Sequence, residues 1–120
     1  MFAILSLTHS WMIYFVYWTL PSLTILNVIF RIRTTAEHLG LDQGADLSQS
    51  RTIKINFFEK LILAPCNVNY HLEHHLFPTV PHYRLTDLHR LLNQAEAYRL
   101  QASVTRHYFA KDGTMARLMR

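Results

Sequence analysis

The stretch WMIYFVYWTLPSLTILNVIFRIR, residues 11–33, decides the fold class of this chain. The first charged residue is Arg31, and the thirty uncharged residues before it would rise about 45 Å as a helix, against a hydrocarbon core of roughly 30 Å. We therefore predict a membrane segment over residues 1–33, with one transmembrane span at about residues 11–30. Arg31 and Arg33 place the end of that span in the cytoplasm, because basic residues accumulate on the cytoplasmic side.

Pro21 lies inside the predicted span and would kink it. A proline removes one helical hydrogen bond and frees the carbonyl of Tyr17, which lipid cannot satisfy. We infer that neighbouring transmembrane helices, absent from this chain, cover that carbonyl. A signal peptide describes the segment less well, because the apolar run is too long and no basic residue precedes it. The other alternative is a soluble binding module whose first thirty residues form a buried hairpin.

The remaining composition excludes several classes of protein. A length of 120 residues corresponds to one small domain, so separate cofactor and substrate lobes are excluded. The formal net charge of +4 is spread over ninety residues, which is too dilute to predict a nucleic-acid partner. Cys66 is the single cysteine, so no intrachain disulfide can form.

The polar part of the chain is predicted to be helical, which makes the fold class all-α: an integral membrane helix followed by a cytosolic helical cap at residues 34–105. Gly40 ends the helix that leaves the membrane, and a loop follows at residues 41–46. Residues 53–64 carry both strand and helix signals, and we favour an interfacial helix from about Asn56. Thr86 is predicted as the N-cap of an amphipathic helix. Its apolar side would carry Leu88, Leu91, Leu92 and Ala95. Residues 106–120 are predicted to be a C-terminal tail, with a turn at 111–113.

The histidines of residues 71–75 form the most informative motif. On a helix, His71, His74 and His75 fall near 0°, −60° and +40°, so the three rings share a sector about 100° wide while Glu73 points elsewhere. One helical face would thus offer three nitrogen ligands, which suit iron, zinc, copper or nickel. Neither zinc-protease motif, His-Glu-x-x-His or His-x-x-Glu-His, fits this spacing. We expect Glu73 to pair with a neighbouring element rather than to bind the metal.

These residues resemble the third histidine box of the membrane-bound fatty acid desaturases. The resemblance rests on the run NVNYHLEHHLFPTVP at residues 67–81, on LHRLL at residues 88–92, and on RIRTTAEH at residues 31–38, which is similar to the segment after the last transmembrane helix of that family. It implies that His71, His74 and His75 are metal ligands and that His38 is an additional ligand. A histidine after a membrane helix is otherwise more often an interfacial residue, so His38 takes this role from the resemblance alone.

The resemblance also implies a function for the intact enzyme. It would be a multi-pass membrane protein whose cytosolic histidines hold two iron ions. With O₂ as co-substrate and electrons from a donor such as a b-type cytochrome or ferredoxin, it would introduce a C=C bond into a fatty acyl or sphingolipid chain. No catalytic residue beyond the metal ligands is predicted. A related di-iron acyl hydroxylase or carotenoid ketolase is an alternative, because its histidine boxes are similar.

Two parts of the family pattern do not occur in this chain. In the family a first box, His-x-x-x-His, and a second, His-x-x-His-His, lie upstream of the third. Residues 1–70 of this sequence contain neither box, and four ligands cannot fill two iron coordination spheres. We therefore expect the chain to be the C-terminal part of a desaturase-like enzyme, lacking its N-terminal helices and inactive by itself. A rival interpretation is a non-catalytic single-pass membrane protein whose histidines bind zinc or no metal.

Overall fold

The structure is a computed structural model that describes residues 1–41, 46–109 and 113–119. It separates into two compact units, Met1–Ile32 and Arg33–Arg120. The predicted loop at 41–46 and the predicted turn at 111–113 fall mostly on residues outside the described ranges, so neither is compared with the structure.

The first unit is a run of short helical segments. It contains α1 (Phe2–Leu7), α2 (Trp11–Tyr14), a π-helical turn (Phe15–Thr19), α3 (Leu20–Leu23) and the start of α4 (Ile25–His38). The π-helical turn directly precedes Pro21, whose ring cannot lie against the carbonyl of Tyr17 in a regular α-helix. The proline therefore distorts the helix where the sequence predicts it.

Trp11–His38 is the one helical stretch in the described residues that is long and apolar enough to cross a membrane. None of its most apolar window is buried, and side chains such as Tyr17 and Trp18 are exposed. This exposure does not fit the alternative of a buried hairpin in a soluble protein.

The second unit contains a two-stranded parallel sheet, so the all-α prediction is only approximate. Strand β1 (Arg51–Lys54) pairs with β2 (Ser103–Arg106), and Ile53 lies opposite Thr105. Each strand has only four residues, and the two are far apart in the chain. Their pairing is a long-range contact, and no local sequence pattern predicts it. The strand signal near Ile53 indicated only that this segment could be extended.

Helices surround this sheet and complete a small core. They are α5 (Phe57–Ile62), α6 (His71–Leu76), α7 (Leu85–Leu92), α8 (Glu96–Gln101) and α9 (Thr114–Leu118). The buried apolar side chains are Ala36, Ile53, Leu63, Ala64, Leu72, Leu85, Tyr98 and Tyr108. Tyr108 and Thr114 are buried, so residues after Arg106 contribute to the packing of this unit.

Three predicted helix ends can be compared with the structure. Gly40 follows α4 with φ of +72°, a conformation that ends helices and suits glycine, which confirms that boundary. Asn56 caps α5 and forms a capping box with Glu59, which confirms the helix predicted from Asn56. The predicted cap at Thr86 is wrong: α7 begins at Leu85, because a 3₁₀ turn at His82–Arg84 leads directly into it. Ala95 lies beyond the end of α7 at Leu92, and the buried residues of the helix are Leu85 and His89.

Candidate metal centre

Three histidine rings converge at the junction of α4 and α6. His38 is the last residue of α4, whereas His71 and His75 lie one turn apart on α6. The Nε2 atom of His71 lies 2.9 Å from Nε2 of His38 and 3.1 Å from Nε2 of His75. One ligand atom from each residue lies within 4.8 Å of the others. The helix thus brings two donors together, and the fold adds a third from 33 positions earlier in the chain.

His74 does not join this group. Its ring centroid lies 6.2 Å from that of His71 and 6.1 Å from that of His75, and its side chain is exposed. The sequence groups His71, His74 and His75 on one helical face, but His38 approaches from the side of His75. A position at i+3 therefore points to one side of His71 and the position at i+4 to the other. The convergent set is His38, His71 and His75.

The orientation of His38 is set by the backbone. Its Nδ1 lies 3.2 Å from the carbonyl oxygen of Gln49, so Nδ1–H donates to that oxygen. In the neutral ring this leaves the lone pair on Nε2, the atom that faces the cluster. Metal-binding histidines commonly donate their second ring N–H to a carbonyl or carboxylate in this way.

The rings of His71 and His75 are held neutral by lowered pKa values. Burial, together with the proximity of His75 and His38, lowers the pKa of His71 from 6.5 to about 3. Burial and the neighbouring His38 and His74 also lower the pKa of His75. Neutral imidazole is the form that binds a metal.

Hydrogen bonding alone does not satisfy this cluster. An imidazole Nε2 carries either one hydrogen or one lone pair, so Nε2 of His71 can form a hydrogen bond with His38 or with His75, but not with both. A metal ion would accept all three lone pairs at once. These three residues could therefore hold one metal ion through their ring nitrogen atoms.

A buried carboxylate fixes the helix that carries these ligands. Glu73 is 0% exposed and lies on the opposite side of α6. It accepts hydrogen bonds from Thr52 Oγ1, His89 Nδ1 and Tyr98 OH, each at 2.5 Å. Burial alone would raise the pKa of Glu73, but these donors outweigh it and the pKa lies below its usual value. The prediction that Glu73 pairs with a neighbouring element is confirmed.

Glu37 is a residue near the site that the sequence did not single out. It is buried on α4, and its Oε1 accepts hydrogen bonds from Arg33 Nε at 3.3 Å and from Tyr108 OH at 3.2 Å. Its Oε2 lies 3.8 Å from Nε2 of His71, which places a carboxylate beside the cluster. Arg33, expected only to anchor the membrane segment, therefore also pairs with this carboxylate. The spacing of Arg33 and Glu37 at i and i+4 on a helix is the sequence feature that could have predicted this ion pair.

The other histidines of this unit lie elsewhere, as expected. His82 is exposed, His89 is buried against Glu73, and His107 contacts Glu59 Oε2 through Nδ1 at 3.0 Å. Cys66 is exposed and lies outside the histidine group.

Comparisons with known proteins identify the family of this chain. The sequence pattern of the fatty acid desaturase family matches residues 1–107. A dihydrorhizobitoxine desaturase of Bradyrhizobium elkanii is 33% identical over 99 residues, which are 81% of this chain and 25% of that protein. A beta-carotene ketolase of Paracoccus sp. (strain N81106 / MBIC 01143) is 38% identical over 82 residues, which are 68% of this chain and 34% of that protein. No solved structure matches the chain.

The chain thus spans about a quarter to a third of the length of these relatives. The family match covers the apolar helix, His38 and all three histidines of α6. On this evidence of sequence and geometry together, the chain belongs to the fatty acid desaturase family.

Proposed function

We propose that this chain supplies the third histidine box of a membrane-bound di-iron desaturase. The observation that carries the proposal is the convergence of Nε2 atoms from His38, His71 and His75. We infer that these three residues hold one iron. His74, on the same helix, is then available to a second iron whose other ligands come from chain beyond these residues. The cap at residues 34–105 would be cytosolic, in a protein that crosses the membrane several times.

The proposed reaction introduces a C=C bond into an acyl chain, of a fatty acid or a sphingolipid. The two irons, when bound, would supply the activation of O₂ that an unactivated C–H bond requires. The residues of this chain have simpler tasks. His38, His71 and His75 offer ring nitrogen donors, Gln49 orients His38, and Glu73 holds α6 in place. Electrons would come from an external donor such as a b-type cytochrome or ferredoxin.

Metal binding tests the assignment of the site directly. The chain would be purified in detergent, loaded with Fe²⁺ without oxygen and analysed for metal per chain. We expect bound iron that is lost in His38→Ala, His71→Ala and His75→Ala. The matched control His82→Ala removes an exposed histidine outside the cluster and should keep the metal. Equal iron content in all four variants would refute the site.

The reaction itself can be tested in a chimera. The 99-residue segment of this chain that aligns with the Bradyrhizobium desaturase would replace the matching segment of that enzyme, which supplies the rest of the protein. We expect the chimera to keep desaturase activity and to lose it with His71→Ala. An inactive chimera that still binds iron would show that the segment holds metal without supporting this reaction.

The similarity to a ketolase favours a second candidate reaction, the oxygenation of a carbon atom. Labelled ¹⁸O₂ distinguishes the two reactions in the full-length protein. A desaturase product loses two hydrogens and carries no label, whereas an oxygenase product retains ¹⁸O.

A further inference from the structure

Helix α5 has its polar and apolar sides reversed relative to an ordinary surface helix. Phe57 and Phe58 are 73% and 72% exposed, and Leu61 and Ile62 are also exposed. Surface helices normally bury such residues, and a cluster of exposed apolar side chains indicates an interaction surface. We call these four residues the apolar face of α5.

The polar side of the helix explains why the apolar face points outward. Glu59 Oε1 accepts a hydrogen bond from the backbone N–H of Tyr108 at 2.7 Å, and His107 Nδ1–H donates to Oε2 at 3.0 Å. The same carboxylate completes the capping box with Asn56. These contacts fix the helix to the segment after β2, so the exposure of the apolar face is built into the packing.

A basic cavity adjoins this face. It has a volume of about 450 Å³, and its lining includes Lys54, Lys60 and Arg90 together with Tyr70 and Thr86. No aspartate or glutamate is among the described residues that line it. Arg90 forms an ion pair with Asp87 at 3.4 Å, so Lys54 and Lys60 supply most of the positive charge that no carboxylate in the lining compensates. The lining thus suits a phosphate group.

Lys60 connects the two features. It lines the basic cavity and also a smaller apolar cleft with Phe57, Leu61 and Pro65. A ligand that fits both must carry a negative charge directly beside apolar groups. Lysines beside exposed Phe and Leu are also the composition of helices that lie at a membrane surface. The same chain carries the apolar helix Trp11–His38, so a bilayer is available to it.

We propose that α5 and the basic cavity form a binding site for an anionic membrane lipid. The phosphate head group lies in the cavity between Lys54 and Lys60, and the apolar face of α5 enters the acyl region beside it. This site is separate from the histidine cluster and does not depend on the proposed iron chemistry. It would also anchor β1 and α5 at the membrane surface.

The test uses the full chain reconstituted in lipid vesicles. Trp11→Phe and Trp18→Phe remove the native tryptophans, and Phe58→Trp places a single indole on the apolar face. Its fluorescence is then quenched by bromine atoms carried on the acyl chains of either phosphatidylglycerol or phosphatidylcholine, at equal bromine content. We expect quenching by both lipids, with stronger quenching when the anionic lipid carries the bromine.

Charge variants then test the head-group contact. Each lysine near an anionic surface is worth about fivefold in affinity, so Lys54→Gln with Lys60→Gln should lower the preference for phosphatidylglycerol by about 25-fold. Quenching by phosphatidylcholine should remain. Arg99→Gln is the matched control, because it removes one exposed charge outside the cavity and should leave the preference close to that of the parent protein.

Three results would overturn the proposal. An indole that neither lipid quenches would show that α5 is covered by protein rather than by membrane. A lipid preference that survives in the double lysine variant would show that the cavity does not hold the head group. A preference abolished by millimolar inorganic phosphate would show that the cavity takes a soluble phosphate instead.

Discussion

The hydrogen bonds to Glu73 lead to a quantitative prediction about stability. Glu73 is fully buried and accepts hydrogen bonds from Thr52, His89 and Tyr98, which belong to β1, α7 and α8. Glu73→Gln keeps the shape and one acceptor oxygen but removes the charge. Hydrogen bonds to charged groups contribute about 1.5–3 kcal/mol each, so we expect the loss of one such contribution, about 2 kcal/mol.

Glu73→Ala should be more severe. It removes the carboxylate that accepts from three buried donors, and removing one partner from a buried charged network costs about 3–5 kcal/mol. For a unit of this size, the 2 kcal/mol loss in Glu73→Gln corresponds to a fall in Tm of roughly 10 °C. Thermal unfolding in detergent, followed by circular dichroism, measures both variants.

A surface variant is the control for this series. Asp87 pairs with Arg84 and Arg90 at 3.4 Å, and all three side chains are more than half exposed. Asp87→Asn should therefore change the stability by less than about 1 kcal/mol. If Glu73→Gln were as mild as Asp87→Asn, the three donors would not be contributing as the structure indicates, and the reasoning would be refuted.

Three further predictions concern pH, backbone conformation and metal. Burial alone would raise the pKa of Glu59, but hydrogen bonds from His107 and Tyr108 outweigh it and lower that pKa below its ordinary 4.5. The contribution of Glu59 to stability is therefore present above pH 4.5 and lost as the pH falls below it. Glu59→Gln should flatten the acid side of a plot of Tm against pH, and an unchanged curve would contradict this. Gly40→Ala should cost about 1–2 kcal/mol in urea unfolding, because φ is +72° and the new Cβ would lie 3.1 Å from Leu118; no loss would show that the turn relaxes freely. Free Fe²⁺ at a hundred times its Kd should stabilise the chain by about 2.7 kcal/mol, and His71→Ala should abolish this gain while His82→Ala keeps it.

Local patterns identified several of the helices. The uncharged run before Arg31 predicted the apolar helix, and the helical spacing of apolar residues after Asn56 predicted α5. These features depend on residues a few positions apart, so the sequence reports them directly. The direction of Glu73, away from the ligand side, followed in the same way from helical periodicity.

Other features depended on contacts between distant segments. The parallel pairing of β1 with β2 joins residues about fifty positions apart, and neither four-residue strand shows a distinctive alternation. The partners of Glu73 come from Thr52, His89 and Tyr98, and no spacing rule connects them. The predicted cap at Thr86 failed for a related reason, because the preceding 3₁₀ turn, rather than a side-chain cap, starts α7.

In the candidate metal site, the sequence determined one part of the arrangement and the tertiary structure determined the other. The sequence by itself determined that His71, His74 and His75 lie on one turn of helix, because the spacing of a helix is local and fixed. Only the tertiary structure decided which of them converge, because His38 approaches from the side of His75 and meets His71 at 2.9 Å. The direction of that approach is set by the packing of α4 against residues near Gln49, and packing between distant segments is not encoded in any single stretch of sequence.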